Sequence, residues 1–173
     1  MALKDLIIKR KIKQTHRNVQ FFNYETAKSV ALLYKIESKQ DTEVLKEYAS
    51  YLSNKGLDVF TLGFVIKAQE IGTVYFGQGN NHFFSEKHIT KTGKIKELCV
   101  KDFVGREVDI LVNISNSNNF YLEYAFAISK AKFKVSGIIN CKYSDLNIHY
   151  DTHKTNQYFI EQLNHYLSTI KKA

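Results

Sequence analysis

Five consecutive small hydrogen-bonding residues, Ser115-Asn116-Ser117-Asn118-Asn119, stand directly before a run with helical spacing, and a second polar cluster, Glu37-Ser38-Lys39-Gln40, follows an apolar run. Hydroxyl and amide side chains at a helix start lie beside free backbone amides and the positive end of the helix dipole. That combination suits a phosphate, a carboxylate or a ribose. The same residue types also cap helices and make turns with no ligand at all. Asn140 and Lys142, after a later apolar run, would complete the same rim.

Other chemistries lack their spacing. The first apolar run is followed by SKQDTEV rather than a glycine-rich phosphate loop, and Gly77 and Gly79 precede no helix. His16, His82, His88, His149, His153 and His165 form no HExxH; only His149 and His153 are spaced like ligands, and no third ligand is evident. Cys99 and Cys141 form no CxxC pair and read as buried free thiols of a reducing cytoplasm. No GxSxG elbow is present. The expectation is therefore no metal and no resident cofactor.

The segment from Lys4 to Arg17 holds Lys4, Lys9, Arg10, Lys11, Lys13 and Arg17 against Asp5 alone, which supplies five of the chain's eight net positive charges. Electrostatic attachment to RNA, a ribosome or anionic lipid is one reading of Lys9, Arg10, Lys11, Lys13 and Arg17. A packed helix with solvated lysines is the other. Abundant Lys, Asn and Ile with no Pro or Trp also fit the residue bias of an AT-rich genome, which accounts for part of the charge. The run Lys130-Ala131-Lys132-Phe133-Lys134 has two readings as well: an anion rim, or cations placed to suit a helix C-terminus.

These residues need a scaffold, and 173 residues with 44% hydrophobic and 13% aromatic content suffice for one core. No stretch approaches the roughly 20 apolar residues needed to span a bilayer. The expected organisation is a basic N-terminal helix or arm over 1–17 and a single α/β domain over 18–173. Ser29 to Ile36 (SVALLYKI) has the continuous apolar pattern of a strand buried on both faces of a parallel sheet. Asp41 is expected to cap a helix ending near Asn54-Lys55-Gly56, with a second strand over Asp58 to Val65. Ile71 to Phe76 reads as a third strand, and the stretch from Gly77 to Glu97 has no clear period. Val108 to Ile114, Asn118 to Lys130 and Phe133 to Ile139 read as a second strand, helix and strand unit. Thr155 to Lys172 places apolar residues on one helical face. The fold class is three-layer α/β, Rossmann-like or flavodoxin-like, with a mostly parallel sheet of about five strands.

The stretch DILVNISNSNNFYLEYAFAISKAKFKV, from Asp109 to Val135, joins a strand, a polar loop and a Glu-x-Ala-x-Ala helix. It resembles the pattern of nucleoside deoxyribosyltransferases and TIR-type hydrolases. That resemblance implies N-glycosidic bond cleavage, with Glu123 attacking, or stabilising charge at, a ribose anomeric carbon. Where the transferases often carry Gly-Thr before the glutamate, this chain has Asn119-Phe120-Tyr121-Leu122, and no acidic partner precedes it. The competing reading puts Glu123 on the solvent face of a helix.

Over nearly its full length, through VDILVNIS and Ser129-Lys130-Ala131-Lys132-Phe133-Lys134-Val135, the chain resembles a family of uncharacterised bacterial proteins known as a domain of unknown function. The resemblance implies a Rossmann-like fold and carries over no catalytic residue. Three functions stay open: a cytoplasmic binding domain for a small anionic or nucleotide-like ligand at Ser38, Lys39, Ser115 to Asn119 and Asn140; a Glu123 enzyme; and an RNA- or ribosome-associated protein.

Overall fold

The computed structural model describes residues 3–115, 119–138, 141–148 and 155–170. Its centre is β1 (Ser29–Ile36), whose β-branched and aliphatic run is buried along nearly its whole length. Such a run needs cover on both faces, and it gets it from a parallel sheet. β1 pairs with β2 (Asp58–Val65), from Ser29 against Asp58 to Ile36 against Val65, and on its other side with β4 (Ile110–Ile114), from Val30 against Ile110 to Tyr34 against Ile114. The outer strands are β3 (Asn81–Phe84), β5 (Phe133–Ser136) and β6 (Leu146–Asn147), and the spatial order is β3-β2-β1-β4-β5-β6. All pairings are parallel.

Alternation along the strands divides the core into two layers. Val30, Leu32 and Tyr34 face α2 (Lys39–Asn54) and α5 (Asn156–Thr169), meeting Leu45, Leu52, Phe159 and Leu163. Ala31 and Leu33 face α3 (Leu98–Gly105) and α4 (Phe120–Ile128), meeting Val100, Phe103, Leu122 and Phe126. The second layer also receives α1 (Leu3–Ile12), which rests on α4 with Ile8 fully buried.

Several expectations shift. The sheet has six strands and is wholly parallel among the described residues. The third strand is Asn81–Phe84, inside the stretch without period, while 71–76 forms a turn. Gly72 there takes a left-handed backbone (φ +83°) and its amide reaches Tyr75 O at 2.8 Å, which an extended strand could not do. α3, at Leu98–Gly105, was not anticipated. Ser38, not Asp41, is the N-cap of α2; Asp41 is the third residue of a capping box and returns its carboxylate to the Ser38 amide at 2.9 Å. Cys99 and Cys141 are free but half-buried rather than buried.

Candidate functional site at the strand order reversal

From β1 the chain builds outward through β2 to β3, then crosses back through α3 to place β4 on the other side of β1. Adjacent strands whose following helices leave in opposite directions open a crevice at their carboxyl ends, which is where open parallel sheets bind ligands. Here that crevice lies past Lys35 of β1 and Ile114 of β4. It encloses about 160 Å³ and is lined by Lys35, Glu37, Asp41, Ile114, Ser115, Thr155 and Asn156.

Two helix starts meet on it. Thr155 caps α5 by accepting from the Tyr158 amide, and Asn156 Nδ2 donates to Asp41 Oδ1 across 3.1 Å, tying α5 to α2. Asp41 Oδ2 accepts from the Glu37 and Ser38 amides and from Ser38 Oγ at 2.9 to 3.2 Å. Lys35 is paired with Glu37. The Asp41 carboxylate thus occupies the two amides that precede α2, and the Asp41 amide itself donates to Ser38 Oγ at 3.2 Å. What the crevice presents is two carboxylates, one lysine already paired with one of them, two hydroxyls and an amide. This set accepts hydrogen bonds from ligand hydroxyls better than it attracts bare negative charge. Two residues before Ser115, Asn113 is buried with its Oδ1 unpartnered, an unmet acceptor at the end of the same strand.

Of the residues singled out in the sequence, Ser115 lines the crevice and Ser38 shapes it through Asp41. Lys39 lines a separate groove of about 390 Å³ between α2 and residues 74–83. Asn119 caps α4, its Oδ1 accepting from the Tyr121 and Leu122 amides at 2.9 and 3.2 Å. Asn116, Ser117, Asn118, Asn140, His149 and His153 lie outside the described residues. Nothing in the sequence alone marks Lys35, Asp41, Thr155 or Asn156 as a ligand contact. Their signal was their position at strand and helix ends, which by itself reads as capping.

Glu123, in the first turn of α4, is half-buried and does not line the crevice. Burial raises its pKa, Asp5 of α1 adds to the rise, and Lys142 and Lys4 oppose it. Lys142 thus lies near Glu123, and it does not line the crevice. Lys132 and Lys134 are structural: Lys132 Nζ bonds Asp109 Oδ1 at 2.8 Å, and Lys134 Nζ donates to Ala127 O at the end of α4. Lys9, Arg10, Lys11 and Lys13 are exposed on or just beyond α1, whereas the Arg17 guanidinium donates to the Ala131 and Lys132 carbonyls and to Asp145, leaving the basic stripe. No group of three or more His, Cys, Asp or Glu able to hold a metal occurs among the described residues.

A wholly parallel sheet of this strand order, covered by helices on both faces, defines a three-layer α/β domain of Rossmann-like design. Within that class the chain belongs to a family of unknown function, DUF6913, whose family model matches residues 3–170. Comparison with curated proteins and with solved structures found no significant match.

Proposed function

We propose that the chain is a binding domain for a small nucleotide-like ligand, whose sugar hydroxyls are held in the crevice where strand order reverses. The observation that carries this reading is the crevice itself: Glu37, Asp41, Ser115, Thr155 and Asn156 converge between β1 and β4, at the position where this architecture seats ligands. Acidic side chains there serve as acceptors for ribose hydroxyls, and the anionic part of the ligand would extend toward Lys39 at the first residue of α2. The proposed setting is a reducing cytoplasm, in keeping with two free thiols. Among the described residues no helix is long and apolar enough to cross a membrane.

Thermal-shift measurement against nucleosides, nucleotides and phosphorylated sugars tests it. A ligand at a hundredfold excess over its Kd adds about 2.7 kcal/mol of stability, which raises the melting temperature by about 5–10 °C for a chain of this size. Glu37→Gln and Asn156→Ala should weaken that shift. Glu123→Gln should leave it intact, because Glu123 lies beside Asp5 and Lys142 and not in the crevice. A blank screen, or a shift untouched by both crevice variants, would overturn the reading.

A further inference from the structure

The stretch without sequence period ends in a small hairpin. Ile89 and Ile95 bridge antiparallel, the Gly93 amide donates to Thr90 O at 2.9 Å, and the Lys94 amide donates to Thr90 Oγ1 at 2.9 Å. Gly93 makes the turn with a left-handed backbone (φ +81°). Tyr124, fully buried in α4, donates its hydroxyl to Gly93 O, and a Cβ at position 93 would stand 2.9 Å from Ile7 Cγ2 of α1. The hairpin is thus pressed onto α1 and α4, and it carries Lys91 and Lys94 to the same groove as Arg10 and Lys11.

That groove encloses about 540 Å³. Leu3, Ile7 and Tyr124 line its apolar part, Arg10, Lys11, Lys91 and Lys94 its cationic part, and no carboxylate lines it. None of the four cations is in an ion pair among the described residues. Gathering like charges over an apolar floor is unfavourable unless an anion joins them. Beside the groove α1 leaves Leu3 73% and Leu6 51% exposed.

We infer that this groove docks on an anionic membrane surface, with phospholipid phosphates between Arg10 and Lys11 on one side and Lys91 and Lys94 on the other, and Leu3 and Leu6 in the interfacial layer. Basic residues flanking exposed aliphatic ones are what such a surface rewards, through charge and apolar burial together. A single-stranded nucleic acid uses exposed aromatic rings as stacking platforms. The groove's one ring, Tyr124, is buried, and the exposed Tyr51, Tyr166 and Phe76 lie on α2, on α5 and in the separate groove beside α2. The inference is independent of the crevice.

The test is co-flotation of the full chain with vesicles of equimolar phosphatidylglycerol and phosphatidylcholine, against vesicles of phosphatidylcholine alone. Binding is expected to the anionic vesicles only, falling as salt rises. Near such a surface each basic residue contributes about 1 kcal/mol, about fivefold, so Lys91→Gln with Lys94→Gln should cost on the order of tenfold or more. Leu3→Ser with Leu6→Ser should weaken binding while leaving the salt dependence unchanged. These exposed replacements spare the core. Equal binding to both vesicles, an undiminished Lys91 and Lys94 variant, or displacement from vesicles by a single-stranded RNA oligonucleotide would each overturn it.

Discussion

Lys134 is 1% exposed on β5, with Nζ 2.9 Å from Ala127 O and over the ring of Phe126. Its pKa is pulled down to about 7, chiefly by burial and also by Arg17, with Asp145 and Cys141 opposing. The lysine of an unfolded chain keeps its proton up to about pH 10.4. Between those two values the unfolded chain binds a proton that the folded chain does not, so this group makes stability rise with pH across that interval. Below it both states are protonated, and the fold carries a buried cation at constant cost. Lys134→Met removes the titration but strands the Ala127 carbonyl, so the two effects oppose in absolute stability. The slope separates them. From about pH 7 to about pH 10 the wild type should gain stability relative to the variant, read from urea midpoints; parallel profiles would show that Lys134 does not titrate in this range.

At the scale of elements the hairpin at 89–95 depends on one glycine. An alanine at 93 would have to keep a left-handed backbone and place its Cβ 2.8 Å from Tyr124 Oη and 2.9 Å from Ile7 Cγ2, so the hairpin must lift from α1. Tyr124→Phe loses only the hydroxyl bond to Gly93 O, worth about 1 kcal/mol. Gly93→Ala should cost more, about 2–4 kcal/mol from backbone strain and overpacking together, and only it should expose the 90–94 amides to rapid hydrogen exchange. The long elements were legible because their burial is written in period: SVALLYKI, DVFTLGFV and VDILVNI are strands from end to end or nearly so, and α2 carries its apolar stripe. The region from 71 to 105 was not. β3 is only four residues long, and Ile71 to Phe76 has strand composition but bends at Gly72. α3 spans only two turns. The crevice was half legible for a related reason. Ser115 and the Ser38 cluster announce helix starts, but that Asn156 reaches Asp41, 115 positions away in sequence, follows from packing α5 beside α2.

For the whole molecule, the question is whether α1 is an appendage or part of the core. Basic composition leaves a helix or an arm open; here Ile8 is fully buried against α4 with Ile7 and Ile12 packed beside it, and Arg17 fastens the following segment to Ala131, Lys132 and Asp145. The match to the family model also begins at residue 3, so it includes this helix. Full burial of an isoleucine is worth about 1.5–3 kcal/mol. With two partly buried neighbours and the Arg17 bonds, removal of residues 1–17 should cost about 3–5 kcal/mol, a large share of a stability of about 5–15 kcal/mol. The chain from Val19 onward keeps its own anchors in the edge contact of Phe21 on Phe133 and the Gln20 amide on Lys132 O at 3.1 Å, so the truncated protein should still fold. The expected result is a melting temperature lower by about 10 °C, with the far-ultraviolet circular dichroism of the sheet and remaining helices retained. It should be joined by binding of a hydrophobic dye to the uncovered face of α4. An unchanged melting temperature would make α1 an arm after all, and the groove it shares with Lys91 and Lys94 would then lack a fixed wall.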